Sequence, residues 1–166
     1  LKNLFSLFAC ILISYSGFSQ ASSNQQDPVY LRFPTIQQFT VYKAPDSTLF
    51  TREDLKKRVS TIFFIFSPDC GHCQHETEAL LKNIQKFKNT QIVMVTHLPY
   101  AEMIAFYKNY KIASYPQITM AWDAKFFFPI FFKVKNFPSI FVYDKKGNFK
   151  KSFEGSVKLE DIIAAL

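Results

Sequence analysis

The stretch Thr61–Cys73, TIFFIFSPDCGHC, decides the fold of this chain. It opens with a continuous run of β-branched and aromatic side chains, which is typical of a strand covered on both faces. Ser67-Pro68 ends the run, and apolar side chains then recur at helical spacing from Cys70 to about Lys88. The sequence therefore predicts a buried strand that leads directly into a helix, with two cysteines at the junction.

The pattern outside this stretch predicts an α/β domain. Further strands are predicted at Gln91–Thr96, Gln117–Trp122, Pro138–Tyr143 and Asn148–Phe153, the last two as a hairpin. Helices are predicted over residues 52–59, 100–110, 124–135 and 158–166, with Pro129 interrupting the third. Residues 31–50 are expected to form edge strands or an extended arm. Strands that alternate with helices imply parallel pairing, to which the closing hairpin adds antiparallel pairing.

The N-terminal residues have the pattern of a secretory signal. Lys2 precedes the apolar run Leu4–Tyr15, which is short for a membrane span, and Gly17–Ser19 offers a small-x-small cleavage site. We expect a signal over residues 1–19, a disordered lead-in over 20–30 and one domain over 31–166. The protein would then be exported to the periplasm or another extracytoplasmic compartment, and an uncleaved signal would instead anchor it to the membrane.

Export changes the cysteine count. The chain has three cysteines, and Cys10 lies within the predicted signal, so the mature protein would keep only Cys70 and Cys73. A bridge between two such close residues closes too small a loop to stabilise the fold much through chain entropy. We therefore expect the pair to carry chemistry.

The charge distribution argues against a nucleic-acid partner. The net charge is +7, but it is spread over short groups of lysine and arginine, none of which reaches five like charges. Such groups are typical of a solvated surface. Acidic protein partners remain compatible with this surface.

The predicted start of the helix gives the two cysteines different roles. Cys70 would lie at the helix N-terminus, where unpaired N–H groups and the helix dipole stabilise a thiolate. Cys73 would lie one turn inside, placed to close onto Cys70 as the resolving thiol. A partly protonated His72 would favour the reduced pair and raise its reduction potential, and its alternative role is a solvent-exposed spacer. His75 is expected to be a surface bystander.

Two other kinds of site use similar residues. Four side chains could supply ligands to a metal ion: Cys70, His72, Cys73 and His75. Zinc sites usually draw on separated pairs of ligands, however, and four groups on one turn of a continuing helix do not converge readily. Haem attachment needs a histidine where Gln74 stands. Two functions are therefore compatible with the sequence. One is a redox enzyme, and the other is a non-catalytic binding module that keeps the cysteine pair as a structural bridge or as ligands of a metal ion.

The sequence resembles the thioredoxin superfamily over residues 31–166, and most closely the exported thiol-disulfide oxidoreductases of the TlpA and ResA type. TIFFIFSPDCGHC matches the strand and redox motif, and Glu76 matches an acid three residues past the second cysteine. A strand and a helix between QIVMVT and PSIFVYD match an insertion typical of this branch. In KNFPSIFVYDKKGNF, Phe137-Pro138 matches the cis-proline of the family.

The resemblance implies a thioredoxin-like α/β fold, with a central mixed sheet flanked by helices, an N-terminal extension and a strand–helix insertion. It implies that Pro138 is cis and faces Cys70, and that Phe137 and Pro138 position the partner chain. It also implies dithiol–disulfide exchange with protein partners, without a cofactor. An upstream redox partner, which the sequence does not identify, would be needed, and a membrane-bound protein is a further candidate partner.

The resemblance gives two conflicting indications of the direction of electron flow. Most of the chain is similar to reductants, whereas the Gly-His dipeptide between the cysteines is similar to that of the more oxidising protein disulfide isomerases. A reductant is our working hypothesis. Asp69 stands where the family usually has a tryptophan, and Glu78 where it often has a helix-kinking proline. These departures from the family pattern affect the expected rate of disulfide exchange and the reduction potential of the cysteine pair.

Two further features each have two interpretations. His97 ends a core strand at the sheet edge expected to hold Cys70, so a proton-transfer role stands against an ordinary loop histidine. The run Phe126–Phe132 holds more apolar surface than one helix face buries. Core packing there stands against a partly exposed docking patch for an unfolded or membrane-bound partner.

Overall fold

A computed structural model describes residues 27–166 of the chain. The strands are β1 (Thr40–Lys43), β2 (Leu49–Thr51), β3 (Ser60–Ile65), β4 (Thr90–Thr96), β5 (Ile118–Trp122), β6 (Ser139–Tyr143) and β7 (Phe149–Glu154). The α-helices are α1 (Val29–Arg32), α2 (Gly71–Lys82), α3 (Tyr100–Asn109), α4 (Phe127–Phe131) and α5 (Leu159–Ala164). The predicted signal, residues 1–19, and most of the predicted lead-in lie outside the described residues.

One seven-stranded sheet, in the order β2-β1-β5-β4-β3-β6-β7, forms the centre of the domain. β3 pairs in parallel with β4, and β4 with β5, whereas β6 and β7 add antiparallel pairing beyond β3. The mixed sheet predicted from the sequence is therefore confirmed. The hairpin β1-β2 extends the sheet beyond β5 as an N-terminal extension. α3, β5 and α4 lie between β4 and β6.

β3 lies inside the sheet with all six residues buried. Its side chains alternate between two apolar clusters, with Ile62 and Phe64 on one face of the sheet and Phe63 and Ile65 on the other. α2, α3 and α5 cover the first face, and α1 and α4 cover the second. Burying one such side chain contributes about 1.5–3 kcal/mol, so the strand is a firmly packed base for the residues that follow it.

The helix predicted from Cys70 to Lys88 is correct at its start and too long at its end. α2 ends at Lys82, because Asn83 leaves helical geometry and its side-chain amide donates to the Ala79 carbonyl at 2.9 Å. Asparagine side chains compete in this way with the backbone hydrogen bonds of a helix. The chain continues as the 3-10 turn Ile84–Phe87.

The helix predicted over residues 52–59 is only the 3-10 turn Arg52–Asp54. The Asp54 carboxylate caps it by accepting from the Thr51 N–H at 2.8 Å and from the Thr51 hydroxyl at 2.9 Å. The turn does not propagate, since Leu55 is extended and Arg58 has a left-handed backbone, with φ 62°.

The helix predicted over residues 124–135 is the five-residue α4. It starts late because Phe126 has a left-handed backbone, with φ 59°. Pro129 does not interrupt it, contrary to the prediction. Pro129 lies in the first turn, where a backbone N–H has no partner within the helix, so its missing donor costs nothing there.

The folded part begins before the predicted boundary at residue 31. Val29–Arg32 form one helical turn. The ring of Tyr30 packs against Phe132, Phe141 and Phe149, with centroid distances between 5.1 and 5.7 Å. Residues 29 and 30, which the sequence predicts to lie in a disordered lead-in, therefore belong to the packed region.

Candidate functional site

The two cysteines lie where β3 gives way to α2. The Cys70 N–H donates to the Ser67 carbonyl at 3.2 Å, which closes the turn between strand and helix. Cys70 caps the helix, and its Sγ accepts a hydrogen bond from the Cys73 N–H at 3.4 Å. The first turn of α2 thus directs a backbone donor at this sulfur, an arrangement that stabilises a thiolate.

The two thiols differ in exposure and in acidity. Both are free; Cys70 is half-buried, whereas Cys73 is 0% exposed. Burial raises the pKa of the Cys73 thiol far above the ordinary value of about 8.5. Cys73 is therefore a protonated thiol at neutral pH, and Cys70 is the sulfur that a partner can reach.

A second loop faces Cys70 at the same sheet edge. The Phe137–Pro138 peptide bond is cis, and the Cys70 thiol donates to the Phe137 carbonyl over 3.7 Å. The Gly155 N–H donates to the Pro138 carbonyl at 2.8 Å, which ties this loop to the end of β7. The structure therefore brings Phe137 and Pro138, predicted to position a partner chain, beside the predicted nucleophile.

His72 is exposed in the first turn of α2 and bonds to a residue that the sequence did not indicate. Its Nδ1 lies 3.0 Å from the Oγ of Ser156, in the loop between β7 and α5. No motif marks Ser156, and only the course of the chain brings it to His72. His75 is exposed on the same helix.

Glu76 is buried behind the cysteines, with 5% of its surface exposed. Its Oε1 accepts a hydrogen bond from the Val157 N–H at 3.1 Å. The adjacent residues Ser156 and Val157 therefore attach the β7–α5 loop to α2 at two points. The exposed Asp69 carboxylate, in front of the cysteines, accepts from the Ser67 hydroxyl.

His97 follows β4 at the sheet edge that holds the cysteines. Its ring packs against Phe126, with a centroid distance of 4.3 Å, and against Phe137 at 5.9 Å. Burial lowers the pKa of His97, and the negative charge of Asp123 opposes that shift. His97 is thus a neighbour of the cis-proline loop. The sequence alone leaves open whether His97 transfers protons or is an ordinary loop histidine.

The apolar run Phe126–Phe132 divides between core and surface. Three of its phenylalanines are buried against the sheet, whereas Phe126 and Ile130 remain 45% and 67% exposed. Core packing therefore accounts for most of the run. Of its exposed residues, Phe126 packs against His97, whose ring also contacts that of Phe137.

Two features are absent from residues 27–166. In that part of the chain, no group of three or more His, Cys, Asp and Glu side chains is arranged to hold a metal ion. No helix formed by these same residues is long and apolar enough to cross a membrane.

Comparison of the sequence with protein-family models and with curated proteins gives no match. The structure, in contrast, matches many solved structures. A secreted disulfide oxidoreductase of Mycobacterium tuberculosis, homologous to DsbE of E. coli, is 18% identical, with a TM-score of 0.65 over 78% of this chain and 96% of that one. StoA of Bacillus subtilis is 15% identical, with a TM-score of 0.58 over 79% and 98%. This chain has a thioredoxin-like fold.

The thioredoxin-like fold confirms the predicted fold class. The peroxidoxin BcpB of Mycobacterium tuberculosis also matches, at 14% identity and a TM-score of 0.67 over 79% of this chain and 92% of that one. Likeness at such identities establishes the fold alone. The chemistry must be argued from the residues at the sheet edge.

Proposed function

We propose that this protein is a thiol-disulfide oxidoreductase that exchanges its Cys70–Cys73 pair with protein partners. One observation carries the proposal: an accessible sulfur at a helix N-terminus faces the Phe137 carbonyl, and a second, fully buried sulfur lies one turn behind it. The accessible sulfur suits nucleophilic attack, and the buried one is shielded from competing partners.

Each exchange would proceed in two steps. The Cys70 thiolate attacks one sulfur of a partner disulfide, which forms a mixed disulfide and releases the other partner sulfur as a thiolate that takes a proton from solvent. Cys73 then loses its proton and attacks the Cys70 sulfur, which releases the second partner thiolate, again to be protonated. The partner gains two electrons, and the Cys70–Cys73 dithiol becomes a disulfide.

We propose reduction of partners as the physiological direction, so an upstream dithiol must return the pair to its reduced state. His72 tunes the potential, and Phe137 and Pro138 hold the partner chain against Cys70. The proposed location is outside the cytoplasm, with the partner either free or bound to the membrane. This proposal involves no cofactor and no nucleic acid.

The decisive experiment combines a trapping variant with a redox titration. In Cys73→Ser the mixed disulfide cannot be resolved, so protein partners should accumulate as dithiothreitol-sensitive adducts, whereas Cys70→Ser should form none. Equilibration of the wild-type pair in dithiothreitol buffers should give a potential of about −270 mV or lower for a reductant. A value between about −120 and −180 mV would reverse the proposed direction.

The alternative is a non-catalytic module that holds a structural bridge or a metal at Cys70, His72 and Cys73. It predicts no adducts with either variant. In the metal-binding form no reversible disulfide forms either, and metal analysis of the purified protein, with Cys70→Ser as the control, should show a stoichiometric metal in the wild type alone.

A further inference from the structure

Phe126 has a backbone conformation that a bulky residue rarely adopts. Its φ of 59° and ψ of 29° lie in the left-handed region, where non-glycine residues are uncommon and aromatic ones are outliers. The residue is nevertheless 45% exposed, although buried phenylalanines follow it. Such strain is characteristic of sites where a side chain must be presented to a ligand.

A buried carboxylate builds the turn that presents Phe126. The Phe126 N–H donates to the Asp123 carbonyl at 3.2 Å, and the Asp123 carboxylate accepts from the Phe128 N–H at 2.7 Å. Asp123 is only 1% exposed, so this cap is fixed from inside the fold. The position of Phe126 therefore follows from a defined turn.

Phe126 is connected to the cysteines by a continuous row of contacts. The Cys70 thiol meets the Phe137 carbonyl at 3.7 Å, the Phe137 ring packs on His97 at 5.9 Å, and His97 packs on Phe126 at 4.3 Å. An extended chain advances about 3.3 Å per residue. A partner whose cysteine is bound at Cys70 therefore reaches Phe126 with a residue about three or four positions away.

An open cavity of about 720 Å³ lies at Phe126. Its lining is largely apolar and includes Phe39, Phe127 and Ile130, with Glu53 and Lys125 among the polar groups. Cavities of about 300–1,000 Å³ with such a lining suit apolar ligand groups. The cavity therefore has room for a large side chain.

We propose that Phe126 and this cavity form a specificity subsite for the partner polypeptide. The occupant is an aromatic or large aliphatic side chain, about three or four residues from the cysteine that Cys70 attacks. The continuity of the subsite with Cys70 and the cis-proline loop selects the partner chain as the occupant. This inference rests on the proposed disulfide exchange. It adds which partner sequences react fastest with Cys70.

The test uses the reduced full-length protein and single-cysteine peptides, each blocked as a mixed disulfide with thionitrobenzoate. One peptide carries phenylalanine and its twin carries serine, about three or about four residues from the cysteine, and each pair is made with this residue on either side of the cysteine. Release of the coloured thiolate in a single turnover, with the protein in excess, gives the second-order rate constant for each peptide, and only the ratio of the two constants is compared. The wild type should prefer the phenylalanine peptide by about tenfold, as burial of an aromatic side chain predicts.

Variants assign the preference to the subsite. Phe126→Ser should bring the ratio close to one, Ile130→Ser should reduce it, and Phe126→Leu should retain most of it. Phe33→Ser is the matched control, because Phe33 is a 53% exposed phenylalanine beside the β6–β7 turn, where the Phe149 N–H donates to the Pro34 carbonyl. It should leave the ratio unchanged.

The outcomes separate this inference from the proposed function. If the wild type reduces both peptides and a small aromatic disulfide but shows no preference, the subsite is wrong and the exchange activity stands. If it reduces none of them, the proposed function itself fails. A ratio that survives in well-folded Phe126→Ser, or a Phe126 surface found covered by a second copy of the chain, would also overturn the subsite.

Discussion

The Oγ atom of Ser156 lies 3.0 Å from Nδ1 of His72, so a loop 84 residues further along the chain orients the histidine between the two cysteines. A hydrogen bond at one ring nitrogen determines how the other nitrogen faces. The next residue of the same loop, Val157, binds the buried Glu76. The β7–α5 loop is thereby part of the proposed redox site.

Removal of the Ser156 hydroxyl should make the cysteine pair slightly more reducing. In the proposed function His72 favours the reduced pair when its ring stays close to Cys70, and a freely rotating ring spends less time there. We expect Ser156→Ala to lower the reduction potential by about 10–20 mV, which corresponds to less than 1 kcal/mol. Equilibration in dithiothreitol buffers measures the shift, with Ser152→Ala on β7 as the control.

A double-mutant cycle shows whether this effect passes through His72. In a His72→Ala background, Ser156→Ala should leave the potential where His72→Ala alone puts it. Equal shifts in both backgrounds would mean that Ser156 acts on the cysteines by another route.

Truncation of Glu76 should destabilise the fold. The Val157 N–H would lose its acceptor, and a small void would open behind Cys73. We expect Glu76→Ala to lower the free energy of unfolding by about 2 kcal/mol, and Glu76→Gln, which keeps an acceptor oxygen, to lower it by less than about 1 kcal/mol. Urea denaturation of the reduced protein measures both changes.

The exposed Glu78, two residues further along α2, supplies the control. Glu78→Ala should stay within about 0.5 kcal/mol of the wild type. If Glu76→Ala were as mild as Glu78→Ala, the hydrogen bond to Val157 would contribute little to stability.

The sequence predicts those parts of the site whose residues are close in the chain. β3, the start of α2 and both cysteines follow from one stretch, because hydrophobic period and helix capping are local properties. Only the family resemblance predicts the role of Phe137-Pro138. The sequence gives no sign of Ser156 and indicates Phe126 only as one member of an apolar run, because the positions of both depend on which loops meet at one sheet edge.

The errors in helix length have a local physical cause. Asn83, Arg58 and Phe126 each leave helical geometry, and two of the three have left-handed backbones. The apolar periodicity continues past such positions, because a 3-10 turn can bury apolar side chains just as a helix can. The turn Ile84–Phe87 buries both of its end residues in this way. Periodicity therefore predicts burial more reliably than it predicts the end of a helix.

Burial of Cys73 predicts a specific pH dependence of stability for the reduced protein. The pKa of Cys73 is raised in the folded state, so its contribution is complete below the unfolded value of about 8.5 and is lost as pH rises beyond it. We expect wild type to lose up to about 1.4 kcal/mol more per pH unit above about 8.5 than Cys73→Ser does. Urea midpoints at several pH values, under reducing conditions, give this difference.

Cys70 is present in both proteins and serves as the internal control for thiol ionisation. Alkylation provides a second measurement. The folded, reduced wild type should react rapidly with iodoacetamide at Cys70, and Cys73 should react only after unfolding. Parallel stability curves, or rapid alkylation of Cys73, would contradict its burial.

Replacement of Lys133 by glycine should stabilise the protein. Lys133 follows the C-cap of α4 with a left-handed backbone, φ 52°, and its side chain is exposed. The Lys133 N–H bonds to the Ile130 carbonyl and the Val134 N–H to the Pro129 carbonyl, the Schellman pattern that favours glycine at this position. We expect Lys133→Gly to raise the free energy of unfolding by about 0.5–1 kcal/mol.

The exposed Lys135 lies two residues away outside the left-handed region and provides the matched control. Glycine there only adds freedom to the unfolded chain, so Lys135→Gly should be neutral or destabilising. Stabilisation by both substitutions would point to relief of charge repulsion instead of backbone strain.

The charge of Asp123 should control the ionisation of His97. The two residues directly follow Thr96 and Trp122, which are paired in register on β4 and β5. Burial lowers the pKa of His97, and the Asp123 carboxylate limits that shift. Asp123→Asn removes the charge but keeps an oxygen to accept from the Phe128 N–H, so the pKa of His97 should fall further.

NMR titration of the histidine ring protons measures this change, with His97→Asn used to assign the resonance and the distant His75 as the internal control. The direction of the His97 pKa shift also determines how the stability of the fold depends on pH. A histidine whose pKa is lowered by folding costs stability as pH falls through the unfolded value of about 6.5. Asp123→Asn should therefore lose more stability than wild type between about pH 7.5 and about pH 5.5. A raised pKa of His97 in Asp123→Asn would show that the carboxylate does not act on His97 through its charge.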